Sequence, residues 1–202
     1  MRLQIALLTG VLATAAVADL PYLYVEGETV YFDTGAAPSG WGDVEEEFAL
    51  LLMEHPEVMQ VSVTGPGGDY DAAMRMAFKI REFGLSTIAT GTCDSACATL
   101  FVAGYERVLM PDAELGFHRI RFREESSRAF YESQVELLGD AAMPPYAEWL
   151  YQDAQHQAGR LLLFYTSAGI DPIFTSQLLL TDSSAMWVPP RTVLIDFGVI
   201  AE

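Results

Sequence analysis

In "GTCDSACATLFVAG", residues 91–104, one serine stands midway between the only two cysteines of the chain. A serine hydroxyl is scarcely ionised at neutral pH, so Ser95 becomes a nucleophile only beside a base. Three histidines exist. His55 sits in the helix-ending "EHPE" and His156 on a polar helical face, whereas His118, in "LGFHR", follows apolar strand residues and is expected to point into a cleft. A neutral imidazole there can take the serine proton. The only lysine, Lys79, falls inside a helical stretch, which argues against a Ser/Lys dyad. Upstream, "GPGGD" is a glycine-rich turn whose backbone N–H groups no Cβ shields, and it suits an anion. It lacks both the G-x-G-x-x-G of dinucleotide sites and the Gly-Lys-Ser/Thr of a phosphate loop, which leaves an oxyanion site or a tight turn. Together these types suggest acyl transfer through a covalent serine intermediate. Each also has a plainer reading: Ser95 as a helix N-cap and His118 as a satisfied structural histidine.

The elements that must position these residues follow from periodicity. "YLYVEGETVYFD", 22–33, alternates around Glu26-Gly27-Glu28 and predicts two short strands or a hairpin. "DTGAAPSGWGD", 33–43, reads as a loop. Asp43 then caps a helix through "VEEEFALLLMEH", whose first turn is acidic as a helix N-terminus prefers. Strands are expected at 58–63 and 85–90, separated by a helix from Asp71 that Gly84 stops. "SACATLFVAG", small and apolar all round, predicts a short buried helix. "ERVLM", "PDAE" and "LGFH" read as strand, turn and strand. Helices follow over 124–139 and 146–168, then one capped by Asp171, and "TVLIDFGVI" at the end is strand-like. Alternating strands and helices over 58–110 imply parallel βαβ units and an α/β class.

Composition bounds the function. "MRLQIALLTGVLATAAVA", residues 1–18, has one positive charge, an apolar run and a small-x-small ending, as a secretory signal peptide does. Residues 19–202 then form a single domain. The chain carries 28 acidic against 11 basic side chains, a formal net charge of −17, so its overall field does not favour nucleic acid. Even so, Arg119, Arg121, Arg123 and Arg128 crowd into ten positions. They form either a solvated face balancing Glu124 and Glu125, or a site for an anionic ligand. Export, to the periplasm on this reading, puts both cysteines where close thiols tend to pair. Two buried thiols packing as small apolar residues is the alternative. Two cysteines cannot make a zinc site alone, so neither a metal nor another cofactor is expected.

Taken in order, "VSVTGPGGD", "TIATGTCDSACATLFVAG" and "LGFHR" resemble the Clp protease proteolytic-subunit family within the ClpP/crotonase fold, and more closely its secreted, ClpP-like bacterial branch. The resemblance spans roughly residues 22–200 and its specific motifs lie within 61–119. It implies a ClpP/crotonase-like α/β fold of repeated ββα (βαβ) units with a long helical region after the histidine. It also implies that Ser95 is the nucleophile and His118 the general base, with the Gly68 and Ala96 N–H groups as the oxyanion hole. The third triad position falls in "LLLTDSSAMWVPP" at Asp182, with Ser184 or Ala185 as alternative registers and Asp171 as the other carboxylate. Where the family carries small residues, this chain has Cys93 and Cys97. A disulfide between them would brace the bend that presents Ser95, as a local brace or a redox switch.

Three functions compete. The first is an exported serine peptidase acting on peptides or unfolded protein segments, without an ATPase partner because exported proteins have no comparable ATP supply. The second is a binding or assembly module of the cell envelope without turnover. The third is a crotonase-like enzyme whose N–H pair stabilises a thioester enolate. The 124–168 helical region, with Phe130, Tyr131, Tyr146, Trp149 and Tyr151, could serve a core or a homo-oligomer interface.

Overall fold

The computed structural model describes residues 20–121 and 124–202. The expected leader, residues 1–18, and Arg123 of the arginine cluster lie outside the described residues. Among the described residues no helix is long and apolar enough to cross a membrane.

The expected hairpin forms from β1 (Leu23–Glu26) and β2 (Thr29–Asp33), paired antiparallel about Gly27 at φ 60°. Helix α1 (Val44–Glu54) follows, with Glu45, Glu46 and Glu47 at its positive end. Asp43 occupies the cap position, but its side chain makes no capping bond. Strand β3 (Gln60–Gly65) is buried at Val61, Ser62 and Val63, as an inner parallel strand covered on both faces must be. Helix α2 (Tyr70–Glu82) is capped by the Asp69 carboxylate, which accepts from the Ala72 N–H.

Strand β4 (Ser86–Asp94) leads to α3 (Ala96–Val102), all seven of whose residues are buried. Its small side chains let α3 fit between α2 and the sheet. Two short strands, β5 (Arg107–Leu109) and β6 (Glu114–Gly116), complete the sheet, ordered β1-β2-β3-β4-β5 with β6 also on β4. Every pairing after the hairpin is parallel, as the βαβ alternation requires.

A register irregularity in β4 sets the position of the site. Val63 pairs with Ala89 but Gly65 pairs with Cys93, so β4 uses four residues where β3 uses two. Bulged strands bend. Below the bend β4 pairs with β5, and above it Thr92, Cys93 and Asp94 pair with β6. The end of β4 therefore lies beside the segment that carries His118.

Helices α4 (Glu124–Leu138) and α5 (Met143–Ser167) pack through aromatic side chains, with Phe130 on Trp149 at 4.4 Å and Tyr131 on Tyr146 at 4.9 Å between ring centres. Helix α5 starts three residues before its expected beginning. Pro144 and Pro145 fall in its first turn, where the missing N–H groups would have had no partner. Helix α6 (Pro172–Leu180) is capped as expected, the Asp171 carboxylate accepting from Ile173 N–H.

The strand expected at "TVLIDFGVI" is instead α7 (Arg191–Asp196). Its β-branched composition imitates a strand, but its end is set by Gly198 at φ 73°. The Val199 N–H reaches Leu194 O at 2.7 Å and the Gly198 N–H reaches Ile195 O at 2.9 Å, a Schellman closure. The guanidinium of Arg107 fastens this terminus. It donates to the carbonyls of Val199 at 2.7 Å, Gly198 at 2.9 Å, and Gly104 and Ala168 at 3.1 Å. Burial lowers its pKa, and the four carbonyl acceptors compensate for the lost hydration.

Candidate active site

Ser95 joins β4 to α3 at φ 56° and ψ −118°, outside the regions a non-glycine residue ordinarily adopts. Such a conformation costs on the order of 1–3 kcal/mol and persists only where its surroundings enforce it. Here the Ser95 N–H donates to Gly116 O at 2.8 Å, and Ser95 O accepts from Thr99 N–H at 3.2 Å. Cys93 and Cys97 are joined by a disulfide with a Cα separation of 5.2 Å and both side chains buried, so a covalent link closes around the bend. Although Ser95 occupies the cap position of α3, its hydroxyl makes no capping bond. The N-cap reading fails for this reason: no helix amide donates to the hydroxyl.

The disulfide closes a very short loop, which limits its chain-entropy contribution to about 2 kcal/mol. The double variant Cys93→Ser, Cys97→Ser is accordingly expected to lower Tm by about 4–8 °C. Thermal melts of oxidised wild type and variant check this. An unchanged Tm would mean that the bend holds without its link.

The glycine turn packs directly on this bend. The Gly67 N–H donates to Thr34 Oγ1 at 2.9 Å, and Thr34 in turn donates to Thr64 O at 2.9 Å. A Cβ on Gly67, at φ 86°, would meet Asp94 O at 2.5 Å and Ala96 N at 2.7 Å. At Gly68 a Cβ would run into the indole of Trp41. The Gly68 and Ala96 amides make no comparable cross-link among the described residues, and both residues face one cavity.

That cavity, about 980 Å³, is lined by Gly68, Ser95, Ala96 and His118. Phe130 and Trp149 form part of its wall. Two of the five aromatic residues named for the long helical region therefore line the site. Sequence reading missed Trp41 and Thr34, both in or beside the loop at 33–43. A lone buried tryptophan amid glycines was the available signal.

His118 is half-buried, and its Nδ1 lies 2.7 Å from Arg119 O. Because a carbonyl only accepts, Nδ1 carries the proton, and the neutral ring leaves Nε2 as an acceptor. Asp182 makes no hydrogen bond to the imidazole among the described residues. One of its carboxylate oxygens accepts from the Ser184 N–H at 2.9 Å and Ser184 hydroxyl at 2.7 Å, and the other pairs with Arg119 Nη2. The Ser184 bonds, and then the Arg119 charge, hold its carboxyl below the usual range. Asp171 is engaged as the α6 cap.

The three described arginines of the cluster are tied up locally. Besides Arg119 on Asp182, Arg121 donates to Ser183 O at 2.9 Å and Arg128 pairs with Glu124. Burial and the nearby Glu114 charge raise the pKa of Asp94, while the charge of His118 lowers it.

No family model matches the chain, and no curated protein matches it. Among solved structures, ClpP1 from Listeria monocytogenes superposes with a TM-score of 0.56 at 15% identity, covering 86% of this chain and 89% of that one. A point mutant of the same protein gives the same TM-score at 16% identity. A putative enoyl-CoA hydratase from Streptomyces coelicolor gives 0.50 at 16% identity, covering 96% of this chain and 71% of that one. Identities this low speak to architecture alone, and the architecture is a ClpP/crotonase-like α/β fold.

Proposed function

We propose that this chain is an exported, ATP-independent serine peptidase that works through an acyl-enzyme at Ser95. One observation carries the proposal: an uncapped serine in a strained bend opens into the same cavity as His118 and the Gly68 and Ala96 amides. On this reading His118 Nε2 takes the Ser95 proton as Oγ attacks an acyl carbonyl. The oxyanion forms against the two amides, each such donor typically contributing about 3 kcal/mol. His118 then returns the proton to the leaving amine, and water hydrolyses the ester by the reverse proton path. Peptides or unfolded segments are the proposed substrates, the periplasm the proposed compartment, and a homo-oligomer through the α4–α5 region the proposed assembly.

Labelling of oxidised mature protein with a fluorophosphonate tests the proposal. Wild type is expected to label and Ser95→Ala to show none. The second reading, a binding module without turnover, is favoured by the engagement of Asp182 with Arg119 and Ser184 in place of the imidazole. Absence of labelling in both oxidised and reduced protein would decide for that module.

A further inference from the structure

Asp94 directly precedes Ser95, and its Cα pairs in register with Gly116 of β6. Register partners in a parallel sheet present the same face, and His118 follows two residues after Gly116, just beyond the end of β6. Gly116 leaves the space between them open. A Cβ there would collide with Asp94 Oδ1 and come within 2.7 Å of Met186 Cγ. The Asp94 carboxylate thus lies over the Gly116 backbone, with Glu114 on one side along β6 and His118 on the other. It accepts no hydrogen bond from any described residue, whereas Asp182 is held by Ser184 and Arg119. Among the described residues, the charges of Glu114 from β6 and of His118 both act on Asp94 from β4, while Asp69, Asp71, Arg119, Arg121 and Asp153 line the cavity that His118 faces, Arg119 being paired with Asp182.

We infer that Asp94 is the positioning residue of this site, its carboxylate stabilising the imidazolium that His118 becomes on taking the Ser95 proton. This rests on the reading of Ser95 as a nucleophile. Two tasks often given to one triad carboxylate are divided here. The Arg119 carbonyl fixes the tautomer, but a neutral carbonyl supplies no countercharge; Asp94 supplies it. Gly116 is the residue that makes room for it.

The variants Asp94→Asn, Asp94→Glu and Asp182→Asn separate the alternatives. Two readouts are needed: the pH dependence of fluorophosphonate labelling, and an NMR titration of the His118 ring assigned with His118→Ala. Asp94→Asn is expected to lower the His118 midpoint, since a nearby opposite charge favours the protonated ring. It is also expected to slow labelling by up to about tenfold, because the rate falls by no more than the stability of the imidazolium does. Asp94→Glu should recover most of both, and Asp182→Asn should move neither appreciably. A His118 midpoint unmoved by Asp94→Asn would overturn the inference even if Ser95 labels normally. A midpoint that moves in a protein that never labels would keep the Asp94–His118 coupling and remove the hydrolase reading.

Discussion

His118→Ala is expected to slow fluorophosphonate labelling of Ser95 by about 10²- to 10⁴-fold, the usual contribution of a positioned general base. With Nδ1 donating to Arg119 O, the ring presents Nε2 as its acceptor, and alanine removes that acceptor. His118 is only half-buried, so the variant should keep the fold, with a Tm close to wild type. Labelling rates with a common probe check the first statement and thermal melts the second. A His118→Ala protein labelling within about threefold of wild type would assign the activation of Ser95 to some group other than the imidazole, since a positioned base is worth far more than that.

Gly67→Ala is expected to damage stability and labelling together. A side chain at φ 86° costs about 1–2 kcal/mol by itself. The added Cβ would also press on Asp94 O, Ala96 N and, at 3.1 Å, Ser95 Cβ. Two of these atoms are backbone and cannot swing aside, so a total near 3 kcal/mol and a Tm lower by about 6–12 °C are expected. The displaced atoms belong to the Ser95 bend, so labelling should be lost even well below the melting temperature. Gly27→Ala provides the control. It has the same sign of φ, 60°, but nothing within 4 Å of the new Cβ, and it should cost only the backbone term while labelling normally. If Gly67→Ala melted and labelled like Gly27→Ala, the glycine turn would have no part in holding the serine.

Much of the architecture was legible because the signals were local. Alternation about Gly27 announced the hairpin, and the Asp69 and Asp171 carboxylates cap helices whose apolar spacing was plain. The run of small apolar residues after Ser95 fitted a short buried helix, and α3 is one. The C-terminal segment was misread because β-branched residues suit strands, while its fate was set by a Gly198 closure and by Arg107 from a distant strand.

At the site, residue types and order nominated Ser95, His118 and the glycine turn, each of which has a distinctive local context, while the choice of Gly68 and Ala96 came from the family resemblance. The close cysteine spacing likewise pointed to the disulfide. Which groups stand next to one another was not encoded locally. Asp182 and Asp94 are both aspartates at polar positions, and the family resemblance pointed to the former alone. Only the bend in β4, the pairing of Asp94 with Gly116 and the capture of Asp182 by Arg119 and Ser184 distinguish them. Those are contacts between segments far apart in the chain, and the tertiary fold alone sets them.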